Sequence, residues 1–113
     1  MATGLLRGRV YRAKLGHIDE PRFFLVVSNN RRNAAFEQVL TVRLTTTAPR
    51  SPRPAMAELG RGEPFTGWAS CDDVETLYPD EVQADLGALS PAAMRRVEDG
   101  LRAALDLSRQ AGA

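Results

Sequence analysis

The fold of this chain is decided by one stretch, Arg22-Phe23-Phe24-Leu25-Val26-Val27 followed by Val39-Leu40-Thr41-Val42-Arg43-Leu44-Thr45. The first segment is a nearly continuous apolar run, which is typical of a strand covered on both faces. The second segment alternates, so Arg43 and Thr45 project from the same face. If the two strands are neighbours, Arg22 at the start of one meets Thr45 at the end of the other. An arginine beside hydroxyl groups suits a phosphodiester substrate.

The other elements follow from periodicity and from turn residues. We predict a first strand at 7–15, a loop at 16–21, a turn at 29–33, a stiff proline-rich loop at 48–54, short segments at 55–59 and 68–71, a helical turn at 72–78 and a last strand at 81–86. A helix is predicted from Ser90, a good N-cap followed by Pro91, to Ser108, with a frayed tail at 110–113. Strands followed by one packing helix indicate a small α+β, barrel-like fold.

Size and composition predict one soluble domain spanning residues 1–113, with 43% apolar and 26% charged residues. No apolar run approaches the roughly 20 residues needed to cross a bilayer, and the start lacks the apolar core of a secretory signal. The lone Cys71 favours a reducing cytoplasm. We expect its thiol to be a small buried hydrophobe, because Asp72 and Asp73 disfavour the thiolate.

The charges are divided unevenly along the chain. Residues 1–53 carry ten basic and three acidic residues, a net +7, whereas residues 54–113 carry five arginines and eleven acids, a net −6. This asymmetry indicates a surface in the first half that faces a polyanion. Fourteen of the fifteen basic residues are arginine, which favours forked recognition of phosphate but equally follows from a GC-rich genome.

Four motifs make the chain similar to the MazF/PemK family of toxin ribonucleases, which have the CcdB-like fold. Arg7-Gly8-Arg9-Val10-Tyr11 resembles the family's opening strand, and Pro21-Arg22-Phe23-Phe24-Leu25-Val26-Val27-Ser28-Asn29 resembles its arginine-bearing strand. Val42-Arg43-Leu44-Thr45-Thr46 resembles the end of its threonine-bearing strand. Leu86-Gly87-Ala88-Leu89-Ser90, with Met94, Val97 and residues 101–105, resembles its closing helix. Their order and spacing make the resemblance specific over most of the chain.

The resemblance implies a small SH3-like, CcdB-like antiparallel β-barrel with a C-terminal α-helix. It implies a homodimeric, metal-independent and cofactor-free endoribonuclease, the cytoplasmic toxin of a type II toxin–antitoxin system. Such a toxin cuts single-stranded RNA at short sequences, leaves 2′,3′-cyclic phosphate and 5′-hydroxyl ends, and arrests growth. Its other partner would be a MazE-like antitoxin whose acidic tail wraps the RNA groove. Carried over by position, the essential arginine is Arg22 and the essential hydroxyl is Thr45.

Two departures from the family pattern concern the segment before the second strand. Phe23 stands where the family has a proline, which affects strand entry more than chemistry. The first loop is shortened to residues 16–21, so the family's loop acid has no firm equivalent, and Glu20 is the nearest carboxylate. Because that loop helps to read RNA bases, neither the cleavage sequence nor the general base follows from the resemblance.

The chemistry of the predicted site can be worked out from residue types. Cleavage of RNA without metal requires a deprotonated 2′-hydroxyl, stabilisation of the phosphorane charge and protonation of the leaving 5′-oxygen. Arg22 can direct two N–H groups to the phosphorane oxygens and Thr45 can add an O–H. Arginine is a poor proton shuttle, so electrostatic stabilisation is its first role. His17 is either a general base or an exposed histidine that touches RNA or solvent.

Further contacts to RNA are expected from other polar residues near the two strands. Arg43 either grips a flanking phosphate or pairs with an acid of the second half, and Thr46 would join the RNA contacts. The loop arginines are either backbone contacts or ordinary solvated charges: Arg31, Arg32, Arg50 and Arg53. The larger aromatic residues fit core or dimer packing better than base stacking: Tyr11, Phe65, Trp68 and Tyr78.

No metal site is predicted, and two other functions remain as alternatives. The acids at 72–75 fit the start of a solvated helical turn better than a metal site. One alternative is gyrase poisoning without catalysis, but that branch depends on an aromatic C-terminal tripeptide and this sequence ends Gln110-Ala111-Gly112-Ala113. The other is an RNA-binding module that does not cleave, which the shortened loop would also fit.

Overall fold

The chain folds into one antiparallel sheet and two helices in a computed structural model that describes residues 4–107. The elements in chain order are β1 (Arg9–Ala13), β2 (Arg22–Val26), α1 (Asn30–Ala35), β3 (Val39–Thr45), β4 (Met56–Glu58), β5 (Trp68–Leu77), β6 (Val82–Ala88) and α2 (Pro91–Leu105). A single 3₁₀ turn, Pro79–Glu81, leads into β6. The predicted strands at 7–15 and 81–86, the two strands that contain Arg22 and Thr45, and the closing helix are confirmed with small shifts of their ends.

The six strands form one sheet in the order β4-β5-β3-β2-β1-β6, and every neighbouring pair is antiparallel. Within residues 4–107, β4 pairs only with β5 and β6 pairs only with β1, so the sheet is curved but not closed. The predicted α+β class with a C-terminal helix is therefore confirmed, whereas "barrel" describes the sheet only loosely.

Apolar side chains fill two separate clusters on opposite sides of the sheet. The helix-side core lies beneath α2 and consists of Val10, Leu25, Val42, Leu44, Ala57, Leu59, Phe65, Ala69, Cys71, Leu89, Ala93 and Val97. The far-side core consists of Leu5, Tyr11, Ala13, Leu15, Phe24, Val26, Val39 and Leu77. The continuous apolar run of β2 is explained by this arrangement, because its alternate residues enter the two cores.

Helix α2 packs closely against β4 and β5. A Cβ atom at Gly100 would lie 2.6 Å from the Cys71 Sγ, so glycine is what lets the helix approach this strand. Cys71 is fully buried, as predicted. The pKa of its thiol is raised to about 11, mainly by burial and to a smaller extent by the negative charge of Asp72. Asp106 ends the helix in the left-handed conformation, with φ of 55°. The predicted frayed tail lies outside the described residues.

Two predicted elements were wrong. The segment 29–33 is not a turn: Asn29 caps α1, its Oδ1 accepting a hydrogen bond from the Arg32 N–H at 2.8 Å. The segment 72–78 is not a helical turn: its residues up to Leu77 are the second part of β5, and Tyr78 precedes the 3₁₀ turn. The pairing of β3 with β5 jumps from Val42 opposite Val74 to Arg43 opposite Ser70. The acids that suggested a helix start lie in this irregularity, while pairing with β3 holds the flanking residues extended.

The start of α2 is tied to the loop before β5 by Glu63. Its carboxylate accepts hydrogen bonds from the Ser90 backbone N–H at 2.8 Å and from the Ser90 Oγ at 2.6 Å. The Ser90 Oγ in turn accepts the Ala93 N–H at 3.1 Å, which caps the helix. The pKa of Glu63 is held below its ordinary value of 4.5, mainly by the hydrogen bond from the Ser90 hydroxyl and secondly by the one from the Ser90 N–H.

We expect Glu63→Gln to lower the free energy of unfolding by about 1 kcal/mol at neutral pH, because the amide keeps only one acceptor oxygen. A depressed folded-state pKa stabilises the fold above the unfolded-state value and loses that contribution as the pH falls through the folded value. The difference between wild type and variant should therefore shrink as the pH falls below 4.5. Urea unfolding at pH 7 and below pH 4 measures this difference in the free energy of unfolding. Glu37→Gln is the control, because Glu37 is exposed. An equal difference at both pH values would contradict this role.

Candidate functional site

The register of β2 and β3 brings the predicted site residues to one place. Phe23 lies opposite Leu44 and Phe24 opposite Arg43, so one further step along the pairing places Arg22 opposite Thr45. Directly opposed residues project from the same side of a sheet. Arg22, Arg43 and Thr45 therefore share the side that carries the far-side core. The first residue of β2 and the last residue of β3 meet at the end of the strand pair.

A groove opens at this end of the two strands, and we call it the Arg22 groove. Its volume is about 280 Å³, and its lining residues are Pro21, Arg22, Phe23, Arg43, Leu44, Thr45, Thr46 and Phe65. Phe23 and Phe65 contact each other with ring centroids 5.0 Å apart and form an apolar wall. The groove thus combines two guanidinium groups and two hydroxyls with a hydrophobic support.

Arg22 is positioned by its own neighbours. Its Nη1 donates to the Pro21 carbonyl oxygen at 3.1 Å and lies 3.7 Å from a Glu20 carboxylate oxygen. The side chain is 32% exposed, so part of the guanidinium is free for a ligand. Glu20 is 73% exposed, and within residues 4–107 it is the only acid within 4.0 Å of the Arg22 guanidinium. The acid of the shortened loop that comes nearest to the family's loop acid is therefore placed beside Arg22.

Thr45 is fixed by a local backbone contact. Its Oγ1 accepts a hydrogen bond from the Thr47 N–H at 3.1 Å. Because the oxygen already has a donor, the hydroxyl proton is left to donate to a ligand in the groove. The next residue, Thr46, is exposed and lines the same groove.

Arg43 has no structural partner in the described part of the chain. No hydrogen bond or ion pair within residues 4–107 involves its guanidinium, although the side chain is half-buried and lines the Arg22 groove. Of the two alternatives left open by the sequence, pairing with an acid of the second half is thus not observed. An unpaired, partly desolvated arginine is suited to bind an anion.

The end of β3 is held in place by the loop between β4 and β5. Gly67 has φ of 147°, and a Cβ built on it would lie 2.3 Å from the Thr45 carbonyl oxygen. Trp68, the next residue, pairs with Thr45. Only glycine allows this close approach of the loop to the residue that carries the groove's hydroxyl.

A family model of PemK-like, MazF-like toxins of type II toxin–antitoxin systems matches residues 6–105. The chain belongs to this family. The endoribonucleases MazF1 of Mycobacterium bovis and MazF4 of Mycobacterium tuberculosis are each 43% identical to it over 102 residues, which cover 90% of this chain and 93% of each relative. A solved structure of an endoribonuclease in complex with its cognate antitoxin, from a mycobacterial species, has 40% identity and a TM-score of 0.85. The match covers 95% of this chain and all of that one.

The resemblance seen in the four sequence motifs is thereby confirmed for this MazF/PemK family member. The MazF of Deinococcus radiodurans in complex with MazE, at 18% identity and a TM-score of 0.71, supports the fold alone. The match to the family model spans the whole described sheet and α2.

Arg50 lies in a second groove that adjoins the Arg22 groove at Thr45. This groove has a volume of about 410 Å³ and its lining residues are Thr45, Thr47, Ala48, Pro49, Arg50, Ser51, Arg53 and Met56. Arg53 is 3.4 Å from Asp72, whereas Arg50 is exposed and forms no ion pair with any residue from 4 to 107. Arg50 therefore remains available to an RNA strand that leaves the Arg22 groove on this side.

His17 and Arg31 do not line the Arg22 groove. His17 is 66% exposed and its Nε2 lies 3.4 Å from Glu75, which pairs with Thr41. Thr41 is four residues from Thr45, or about 13 Å along β3. Arg31 lies in α1, beyond the opposite end of β2 from Arg22. RNA contacts by both residues stay predictions, and the position of His17 favours the exposed-histidine alternative over the general base.

A third cavity, on the Trp68 side of the Arg22 groove, was not predicted from the sequence, and we call it the Trp68 pocket. Its volume is about 510 Å³ and its lining residues are Thr46, Glu58, Gly60, Arg61, Gly62, Thr66, Gly67 and Trp68. Trp68 is half-buried and faces this cavity, whereas Tyr11 and Phe65 are buried in the two cores as expected. The available signal was the arginine between two glycines, Gly60-Arg61-Gly62, just before the only tryptophan.

Two further properties of the described residues bear on function. Residues 4–107 contain no group of three or more His, Cys, Asp or Glu side chains that could hold a metal ion. Their longest helix is neither apolar enough nor long enough to cross a membrane. The polar side chains that line the Arg22 groove carry guanidinium and hydroxyl groups, and the Glu20 carboxylate lies beside Arg22.

Proposed function

We propose that residues 1–113 form a single toxin domain that cleaves single-stranded RNA in the Arg22 groove without a metal ion. One observation carries the proposal: Arg22, Arg43 and Thr45 project together into one groove of a MazF/PemK family member. Relatives at 43% identity are named endoribonucleases, which favours cleavage over gyrase poisoning and over RNA binding alone.

The proposed reaction is an attack of the 2′-oxygen on the adjacent phosphorus. The bond from phosphorus to the 2′-oxygen forms while the bond to the 5′-oxygen breaks, which leaves a 2′,3′-cyclic phosphate and a 5′-hydroxyl. The phosphorane formed on the way carries an extra negative charge. Arg22 directs two N–H groups to its non-bridging oxygens and Thr45 adds its hydroxyl proton, so both stabilise the transition state more than the substrate.

Proton transfer is assigned to the mouth of the groove. Glu20 takes the proton of the attacking 2′-hydroxyl, because it is the acid that lies 3.7 Å from Arg22. Water delivers the proton to the leaving 5′-oxygen, since a guanidinium group is a poor proton donor. Arg43 holds the neighbouring phosphate and Arg50 the strand beyond it, as salt-sensitive contacts.

The biological setting is part of the same proposal. A solved relative is in complex with its cognate antitoxin, and we assign to this chain a MazE-like antitoxin with an acidic segment that covers the Arg22 groove. The arginines that bind phosphate would bind that segment's carboxylates in the same forked manner. The active form is a homodimer in the cytoplasm, where its RNA substrates are, and cleavage causes growth arrest.

Induced expression in bacteria tests the function. Wild type should arrest growth and produce new RNA fragments with 5′-hydroxyl ends, and Arg22→Ala should do neither. Arg95→Ala is the matched control, since Arg95 is an exposed arginine of α2 on the outside of the helix. Equal growth arrest by wild type and Arg22→Ala, or arrest without new RNA ends, would contradict the ribonuclease and favour gyrase poisoning or simple RNA binding.

A further inference from the structure

The Trp68 pocket adjoins the Arg22 groove at Thr46. Thr46 lines both cavities, and Trp68 lies opposite Thr45 across the pairing of β5 with β3. Adjacent strands are about 4.8 Å apart, so a nucleotide bound at Thr45 has its neighbouring base within reach of the indole. A base that stacks on tryptophan next to the scissile phosphate is a common mode of single-strand recognition.

The pocket contains one acid and one arginine that have no partner. Neither the Glu58 carboxylate nor the Arg61 guanidinium forms a hydrogen bond or ion pair with residues 4–107, and the two are more than 4.0 Å apart or they would pair with each other. Opposite charges that line one cavity without pairing leave an acceptor and a donor for a ligand. The structural contacts of this segment are made by backbone atoms instead.

The loop that carries these residues is held by helix α2. Arg96 Nε donates to the Glu58 carbonyl oxygen at 2.8 Å, and its Nη2 donates to the Leu59 carbonyl oxygen at 2.5 Å. A Cβ at Gly60 would lie 2.7 Å from the same Nη2, so the clamp needs glycine there. The Leu59 N–H donates to the Gly67 carbonyl oxygen at 2.9 Å and closes the loop. The pocket is therefore largely formed before a ligand binds.

We propose that the Trp68 pocket binds a guanine base of the RNA next to the scissile phosphate and sets the cleavage sequence. The proposal rests on the ribonuclease function above. Guanine presents two adjacent donors, N1–H and the N2 amino group, which match the two oxygens of Glu58. Its O6 and N7 accept from an arginine fork such as that of Arg61. Adenine, cytosine and uracil do not offer two adjacent donors together with that acceptor pair.

Fluorescence of the single tryptophan tests the proposal without depending on catalysis. The probes are 2′-O-methyl uridine pentamers, which lack the attacking hydroxyl, with one guanosine, adenosine or cytidine placed at each position in turn. We expect guanosine at one position to quench Trp68 most strongly and to bind about tenfold tighter than the other bases. Glu58→Gln should shift the preference toward adenosine, because a carboxamide offers one acceptor and one donor. Arg61→Ala should weaken guanosine binding.

Glu37→Gln is the control, an exposed acid replaced in the same way outside the pocket. Equal quenching by all bases, or an unchanged preference in both Glu58→Gln and Arg61→Ala, would overturn the guanine pocket. A failure of the ribonuclease proposal would be distinguishable from a failure of the guanine pocket. In that case wild type would leave ribose-containing RNA intact, while the fluorescence of the pentamer complexes would still report which base Trp68 contacts.

Discussion

Arg22→Ala is expected to lower kcat for cleavage of a short RNA about 10²- to 10³-fold, with a smaller change in KM. Removing one fixed donor to a developing oxyanion typically has an effect of this size. Arg22 is placed for such a role because it is partly exposed, lines the groove and lies opposite Thr45, one step beyond the Phe23–Leu44 pair. Its contribution should be larger in the transition state, where the extra charge develops, than in the bound substrate. Single-turnover kinetics on purified protein measures it.

Two variants separate the geometry of Arg22 from its charge. Arg22→Lys keeps a positive charge but loses the planar fork, so we expect a rate between those of wild type and Arg22→Ala. Arg95→Ala changes the net charge equally but lies on the exposed face of α2, and should cleave at the wild-type rate. An Arg22→Ala enzyme that keeps its kcat would contradict the assigned role.

Gly67→Ala is expected to destabilise the fold by roughly 2–4 kcal/mol, since it combines backbone strain with a steric clash. Gly67 has φ of 147°, which side chains rarely adopt. Its Cβ would lie 2.3 Å from the Thr45 carbonyl oxygen and 3.1 Å from Phe65 Cε2. The clash is with backbone and can be relieved only if the end of β3 shifts, so the variant should also lose cleavage activity while still folded. Urea unfolding and kcat on the same preparation test both effects.

Gly62→Ala is the matched control in the same loop. Gly62 also has a positive φ, of 78°, but no atom lies within 4 Å of the added Cβ. The added methyl group should cost only the strain of the left-handed conformation, about 1 kcal/mol of stability. Equal losses of stability in the two variants would show that strain alone acts, and that Gly67 does not hold Thr45.

Much of the site could be predicted because it depends on local periodicity. Alternation along residues 39–45 places Arg43 and Thr45 on one face. The apolar run that begins at Arg22 predicts a strand covered on both faces, with a neighbouring strand beside it. Ser90 and Pro91 give the start of α2 by the usual capping rules. In each case the structure follows from residues a few positions apart, and the groove results when two such strands pair.

The missed features depend on contacts between distant residues. The acids at 72 and 73 resemble a helix start, but they lie at an irregularity that exists only because β3 pairs on both sides of it. The Trp68 pocket forms only when the loop after β4 folds back under the Arg96 clamp. His17 lies beside Glu75, on a strand distant in sequence, and its neighbour Ile18 packs on the far-side core. None of these follows from spacing along the chain.

We propose that the Arg22 groove cleaves RNA by attack of the 2′-hydroxyl without a metal ion. It is tested most directly with an oligoribonucleotide carrying the mapped cleavage site, in excess EDTA, beside the same oligonucleotide with a single 2′-deoxy sugar before the scissile phosphate. We expect full cleavage of the first to a 2′,3′-cyclic phosphate and a 5′-hydroxyl, and no cleavage of the second. Loss of activity in EDTA, or cleavage of the 2′-deoxy substrate at that phosphate, would contradict it.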